Sequence, residues 1–346
     1  MRDRSLLFGS ATVVAAAAGF GLLGPVARLA YGTGLEPLSF VAWRGLFGTL
    51  VVAGFVAWRI QRGHPVVLPW RLPAGQGRVF LVATISGLLL NLAMFIAFER
   101  STVALVLLAF YTYPALVAAV AVWRGVERLD GLRAAALVLA LAGMVLVVAG
   151  GLDSGGALRA DPLGIGLALG AALSQTVFVT ISRNGYPAIS TDQAMGWILG
   201  TITVACVLLA LVAGSGPALG APLRSGEALG LSAVAGILAA GIPSILFLRG
   251  IRTIGGTRTG ILMLFEPVVG VVLAAWLLDE GLAPIQVLGG LAILVAALIL
   301  QRSAAPGGRT VVAPAVEADE ADSPLGAGSR PADEVEARPA TAPGGP

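Results

Sequence analysis

The sequence predicts an all-α integral membrane protein with ten transmembrane helices in two inverted five-helix repeats. Three observations carry this expectation. Of the 346 residues, 57% are hydrophobic and only 12% are charged, against about 25% charged in a soluble domain; the mean hydropathy is +0.90. Ten apolar segments approach the roughly 20 residues that a helix needs to cross a bilayer. Three rare anchors recur at one spacing: Pro114 and Pro267, Trp123 and Trp276, and Glu127 and Glu280 are each 153 residues apart. One spacing shared by three residue types marks an internal duplication.

The segments lie near residues 6–30, 37–58, 78–98, 103–123, 131–150, 162–183, 193–213, 227–249, 257–278 and 284–301. Gly, Pro or charge separates them, as in Arg62-Gly63-His64-Pro65 and at Gly214 to Pro217. The start, Arg2 and Arg4 before an apolar run, imitates a signal peptide, but the run continues past Ala30. A cleaved apolar region is only about 7–15 residues long, so the segment is read as helix 1. The first repeat is expected over 1–150, a linker over 151–161 and the second repeat over 162–302. The rest, 303–346, is Pro-, Gly- and Ala-rich with scattered acids. It cannot bury an apolar face and is expected to be a disordered cytoplasmic tail.

Arginine placement sets the expected orientation. With the N-terminus inside, the inner side holds Arg2, Arg4, Arg59, Arg62, Arg71, Arg78, Arg124, Arg128, Arg133, Arg183, Arg249, Arg252, Arg258 and Arg302. The outer side holds Arg28, Arg100, Arg159 and Arg224. The positive-inside rule then puts both termini in the cytoplasm. An odd number of helices per half inverts the second half relative to the first.

The composition also excludes chemistry. All 22 Lys+Arg residues are Arg, so there is no Schiff-base lysine and no Walker loop. Cys206 is the only cysteine and His64 the only histidine. A catalytic triad or a metal site has almost nothing to be built from, so no enzyme activity, cofactor or metal is expected. Gly19-Phe20-Gly21-Leu22-Leu23-Gly24 spells a dinucleotide fingerprint. It lies inside an apolar helix rather than after a strand, which removes the mechanism. The arginine clusters alternate with membrane spans, so lipid headgroups explain them and nucleic acid does not.

At the duplicated stretch each half carries a break, an apolar helix with a central Pro, a Glu past its end and a closing Gly-containing helix. Here these are Pro114, Glu127 and Gly143, then Pro267, Glu280 and Gly289/Gly290. The pattern, with Arg44 in helix 2, resembles the EamA-type family of the drug/metabolite transporter superfamily over roughly residues 6–301. The resemblance implies a central cavity lined mainly by helices 1, 3, 4, 6, 8 and 9, and movement of metabolites, often outward. Two features depart from symmetry. Aligning Trp43 with Trp197 puts Ile198 opposite Arg44, and the 153-residue offset puts Tyr113 opposite Glu266.

Glu266 is the sharpest candidate. A carboxylate in mid-span is costly, which suits a proton-coupling or substrate-binding group; a structural Glu satisfied by backbone freed at Pro267 is the other reading. Arg44 lies about 10 Å into helix 2 at 1.5 Å per residue. Two readings stand equally, a carboxylate binder and a side chain that snorkels or pairs within the bundle, and helix 2 is not among the helices expected to line the cavity. Asn91 and Ser244 are equivalent under the offset and are expected near the midplane. Asn91, Phe95 and Phe98 share one helical face. Gln175, with Ser174 and Phe178, forms a polar spot on helix 6, and Tyr111 and Tyr113 form one on helix 4. The expected substrate-binding set is therefore Asn91, Phe95, Tyr111, Tyr113, Gln175, Ser244 and Glu266.

The expected function is secondary transport of small organic metabolites by alternating access in the plasma membrane, with amino acids or related compounds exported. Lipophilic cations are the alternative cargo. A non-transporting scaffold or scramblase-like protein, a lipid enzyme and a channel are weaker alternatives. The expected partners are a small-molecule substrate and the lipid bilayer, with homodimerisation left open.

Overall fold

Among the described residues, nine helices in the computed structural model are long and apolar enough to span a membrane, and a shorter apolar one follows. We number them α1 (Ser5–Gly32), α2 (Pro37–Gln61), α3 (Ala74–Phe98), α4 (Leu105–Trp123), α5 (Gly131–Ala149), α6 (Pro162–Ser182), α7 (Thr191–Val212), α8 (Gly226–Ile254), α9 (Gly256–Leu277) and α10 (Pro284–Leu300). The structure describes residues 2–126, 130–150, 160–279 and 281–302. The anchors Glu127 and Glu280, most of the expected linker and the expected tail lie outside them, as does the Phe95 side chain.

Local chemistry sets the ends of these helices. Asp130 caps α5 by accepting from the Arg133 amide, and Asp161 caps α6 by accepting from Leu163 and Gly164. Ser225 caps α8 through Ala228. These side chains satisfy amides that a helix start leaves without partners. Pro37 and Pro162 open α2 and α6, where a missing N–H costs nothing. Gly255 alone turns α8 into α9 at φ +87°, a conformation that a side chain would resist.

The helix pairing records the duplication. Under the repeat, α1–α5 correspond to α6–α10. α2, α4 and α5 each pack against their own counterparts α7, α9 and α10, while α1 packs on α8 and α3 on α6. Thr49 meets Thr203 at 3.0 Å and Arg59 meets Asp192 at 2.8 Å, so α2 and α7 are antiparallel. Gly260 faces Pro114 while Gly256 faces Val117, so α4 and α9 are antiparallel too. Gly143 abuts Gly289 while Gly150 abuts Gln286, giving the same sense for α5 and α10. Equivalent helices that run antiparallel require halves of opposite orientation, which is the inverted-repeat plan.

Large apolar side chains point outward along the spans, among them Leu50, Val138, Leu208 and Val212. Such a surface suits hydrocarbon rather than water. Trp123 and Trp276, the repeated pair, are 83% and 78% exposed, as expected of side chains anchored at the two membrane interfaces. Trp43 instead donates its indole N–H to the Leu219 carbonyl, and Trp197 meets the Trp70 ring edge-on. Glycines four residues apart on a spanning helix permit close helix approach, but not every such pair is used for it. Gly196 and Gly200 touch α2, and Gly256 and Gly260 touch α4 and α6. Gly166 and Gly170 meet no described atom within 4 Å, because that side of α6 faces away from the bundle.

Candidate functional site

Three spans that the sequence draws as continuous are interrupted. α4 consists of Val103–Phe110 and Tyr113–Trp123, and α9 of Gly256–Met263 and Glu266–Leu277. Proline explains both breaks. Pro114 and Pro267 have no N–H for the carbonyls of Phe110 and Met263 four residues back, and their rings crowd the preceding turn. Each second piece therefore starts a new helix near the middle of its span. α1 is interrupted at Leu22, between Gly21 and Leu23. α8 stays helical but widens into a π turn over Ile237–Gly241 just before Pro243, a usual accommodation in a spanning helix.

Glu266 is the first residue of the second α9 piece. The positive end of a helix dipole lies there and favours a carboxylate. The Tyr111 hydroxyl, at the α4 break, donates a hydrogen bond to that carboxylate. Tyr113 is buried within electrostatic reach of Glu266. The Phe110 ring lies 5.4 Å from the Tyr111 ring and 5.3 Å from the Tyr113 ring, fixing both phenols. From α1, Gly21 lies so close that a Cβ there would stand 2.7 Å from the Glu266 carbonyl oxygen. The acid is thus held by α9, approached by α4 and backed by α1.

A second group lies on α6, α8 and α1. The Phe178 and Phe247 rings are stacked at 6.4 Å with an interplanar angle of 10°, and Phe20 meets Phe247 edge-on at 6.4 Å. Gln175 sits three residues before Phe178 and Ser244 three before Phe247. They are 9% and 7% exposed. Phe20 precedes Gly21, so this aromatic group adjoins the Glu266 layer. Asn91 is placed differently: its amide donates to the Gly87 carbonyl of its own helix at 2.9 Å. The structure therefore joins Tyr111, Tyr113 and Glu266, sets Gln175 and Ser244 beside the aromatic group, and ties Asn91 into α3.

Sequence reasoning missed the brace at one end of α2 and α7. Arg59 donates to Asp192 at 2.8 Å and, at 3.2 Å, contacts Nδ1 of His64. A guanidinium only donates, so Nδ1 accepts. Gln193 accepts from the Val67 amide and donates to the Pro65 carbonyl. Arg252 donates to the carbonyls of Ile189 and Tyr186 and lies over the Tyr186 ring. Arg59 and Asp192 are 133 residues apart, and no local pattern links them. An open groove of about 510 Å³ along α7, lined by Trp197, Gly200, Thr201, Val204, Ala205 and Leu208, belongs to the outward surface and not to the Glu266 site.

Comparison with known proteins agrees with this architecture. A crystal structure 19% identical in sequence superposes with a TM-score of 0.66 over 87% of this chain and 98% of its own length; at that identity the likeness speaks for the fold alone. No curated protein matches the sequence. The model of the EamA-like transporter family matches twice, over residues 7–149 and 162–302. Two matches, one per half of an antiparallel helix pairing, cover most of the chain. It follows that this multi-pass membrane protein belongs to the EamA-like transporter family, within the drug/metabolite transporter superfamily.

Proposed function

We propose that the protein exports amino acids or related small polar metabolites by alternating access between its two repeats, in the plasma membrane with both termini cytoplasmic. The observation that carries this is Glu266 at the start of a half-helix in mid-span, hydrogen-bonded by Tyr111 of the other repeat. Interrupted helices whose ends point at the solute are a recurrent way to build a binding site within a membrane. The carboxylate offers a partner for a substrate ammonium group or a proton. Gln175 and Ser244 offer neutral hydrogen-bonding groups, and Phe20, Phe178 and Phe247 an apolar wall. The proposed binding set is Tyr111, Tyr113, Gln175, Ser244 and Glu266, with Asn91 and Phe95 of α3 as further members.

The test is flux in liposomes with an imposed pH gradient. Wild type should accumulate or expel a neutral amino acid according to the gradient. Glu266→Gln should still fold and should lose that dependence. Gradient-driven flux unchanged in Glu266→Gln would remove the acid from the mechanism. A second cargo class, lipophilic cations, is favoured by one specific observation, the three-ring aromatic group beside the acid. Aromatic faces attract cations, and stabilisation by quaternary amines in preference to amino acids would select that class.

A further inference from the structure

We propose that Arg44 is an anion-binding post that receives the carboxylate of the transported solute, separate from the Glu266 site. The proposal rests on the amino-acid reading above and deepens it.

Arg44 lies on the inward face of α2 and is half-buried. On α2, Phe40, Arg44 and Gly48 share a face at four-residue intervals. Phe40 and Gly48 are buried, while Leu46 and Leu50, on other faces, are exposed. Gly48 packs on α8 so closely that a Cβ there would meet the Gly236 carbonyl oxygen at 3.0 Å. The ionisable groups within electrostatic reach of the guanidinium are the Tyr31 phenol of α1 and the Cys206 thiol of α7. Three helices thus converge on this one cation.

Arg44 meets no compensating charge among the described residues. Among the described residues no carboxylate pairs with it, and its Nε is buried without a hydrogen-bond partner. Arg59, further along the same helix, is paired to Asp192 at 2.8 Å. A guanidinium stays charged, and an unpaired charge in a membrane bundle is costly. The fold does not demand it. The position matched to Arg44 in the second repeat is Ile198, which is 1% exposed. An apolar side chain fills the equivalent place, so the charge answers a need other than packing.

Position fits the role. Arg44 lies seven residues inside the start of α2, and Glu266 eleven residues before the end of α9. Eight crossings separate those two helix ends, so they lie on one side of the membrane. At 1.5 Å per residue the cation lies roughly 6 Å nearer that surface than the acid. A solute with a carboxylate and an ammonium group meets one complementary charge after the other. The planar guanidinium binds a carboxylate through two parallel hydrogen bonds.

The experiment compares leucine and leucinamide, which differ in the carboxylate, in liposomes bearing the full-length protein. Wild type is expected to move leucine at least tenfold faster than leucinamide. Arg44→Ile copies the second repeat and is expected to melt no lower than wild type. It should lose leucine flux at least tenfold and keep leucinamide flux within twofold. Arg44→Lys keeps the charge without the planar fork, so it should raise the KM for leucine several-fold and leave leucinamide unchanged. Equal loss of both solutes, or unchanged leucine flux, in either variant overturns the Arg44 proposal and leaves the amino-acid reading standing. Wild type that moves neither solute overturns both.

Discussion

The Tyr111 hydroxyl of α4 donates a hydrogen bond to the Glu266 carboxylate of α9. The two repeats therefore meet through a phenol and an acid at paired helix breaks. The residue equivalent to Glu266 under the 153-residue offset is Tyr113, yet the hydrogen-bonding partner is Tyr111. The reason is geometric: α4 and α9 cross antiparallel, with Pro114 against Gly260. Each residue then meets a partner displaced along the other helix, not its own counterpart.

This relationship separates two tyrosines that look alike. Tyr111→Phe removes a hydrogen bond to a carboxylate, an interaction worth about 1.5–3 kcal/mol. Transport should fall by about tenfold or more. Tyr113→Phe keeps the ring that packs on Phe110 and should stay within about threefold of wild type, since no such bond is lost. Initial flux in liposomes, normalised to reconstituted protein, checks both. The reverse ranking would reassign the partner.

The α5–α10 contact makes a prediction about stability. A Cβ at Gly143 would lie 2.6 Å from the Gly289 carbonyl oxygen, and one at Gly289 would lie 2.5 Å from that of Gly143. These are backbone atoms and cannot rotate aside. Gly143→Ala and Gly289→Ala should each destabilise by about 1–3 kcal/mol. Gly166→Ala, with open space at its Cβ, should be neutral or stabilising by up to about 1 kcal/mol. Melting temperatures in detergent read the difference, and equal melting of all three would deny the close crossing.

A pH effect follows from Asp161. The Leu163 amide that it caps, then the Gly164 amide and Arg100 at 3.4 Å, hold its carboxyl below the usual carboxylate value, against a weaker opposing effect of burial. A group whose folded pKa is depressed adds stability above its unfolded pKa, about 3.9 for Asp. That contribution is lost as pH falls through the folded value. Asp161→Asn keeps a capping oxygen but cannot titrate. Its melting temperature should therefore fall less steeply than that of wild type as pH drops below about 4. Parallel curves would show that the cap does not contribute to acid sensitivity.

Much of the architecture was legible in the amino-acid sequence. Spans of apolar residues are a direct consequence of the bilayer's thickness, and the recurrence of Pro114 and Trp123 at Pro267 and Trp276 exposed the duplication. The breaks inside α4 and α9 were not drawn from the sequence, although the prolines beside them withhold an N–H wherever they stand. The spans and the duplication depend on length, composition and covalent structure, which a sequence states outright.

The contacts that give the site its chemistry depend on which faces meet. Only packing decided that Glu266 meets Tyr111, that Asn91 bonds its own helix at Gly87, and that Arg59 finds Asp192 across 133 residues. The same holds for Arg44. Its charge is written in the sequence, but its place near Tyr31 and Cys206, with a buried Nε and no carboxylate among the described residues, is not. Helix rotation and antiparallel crossing set which side chains touch, and these come from ridges and grooves summed over whole helices. No local spacing encodes them, so the sequence by itself determined the membrane-spanning plan while tertiary packing determined the partners.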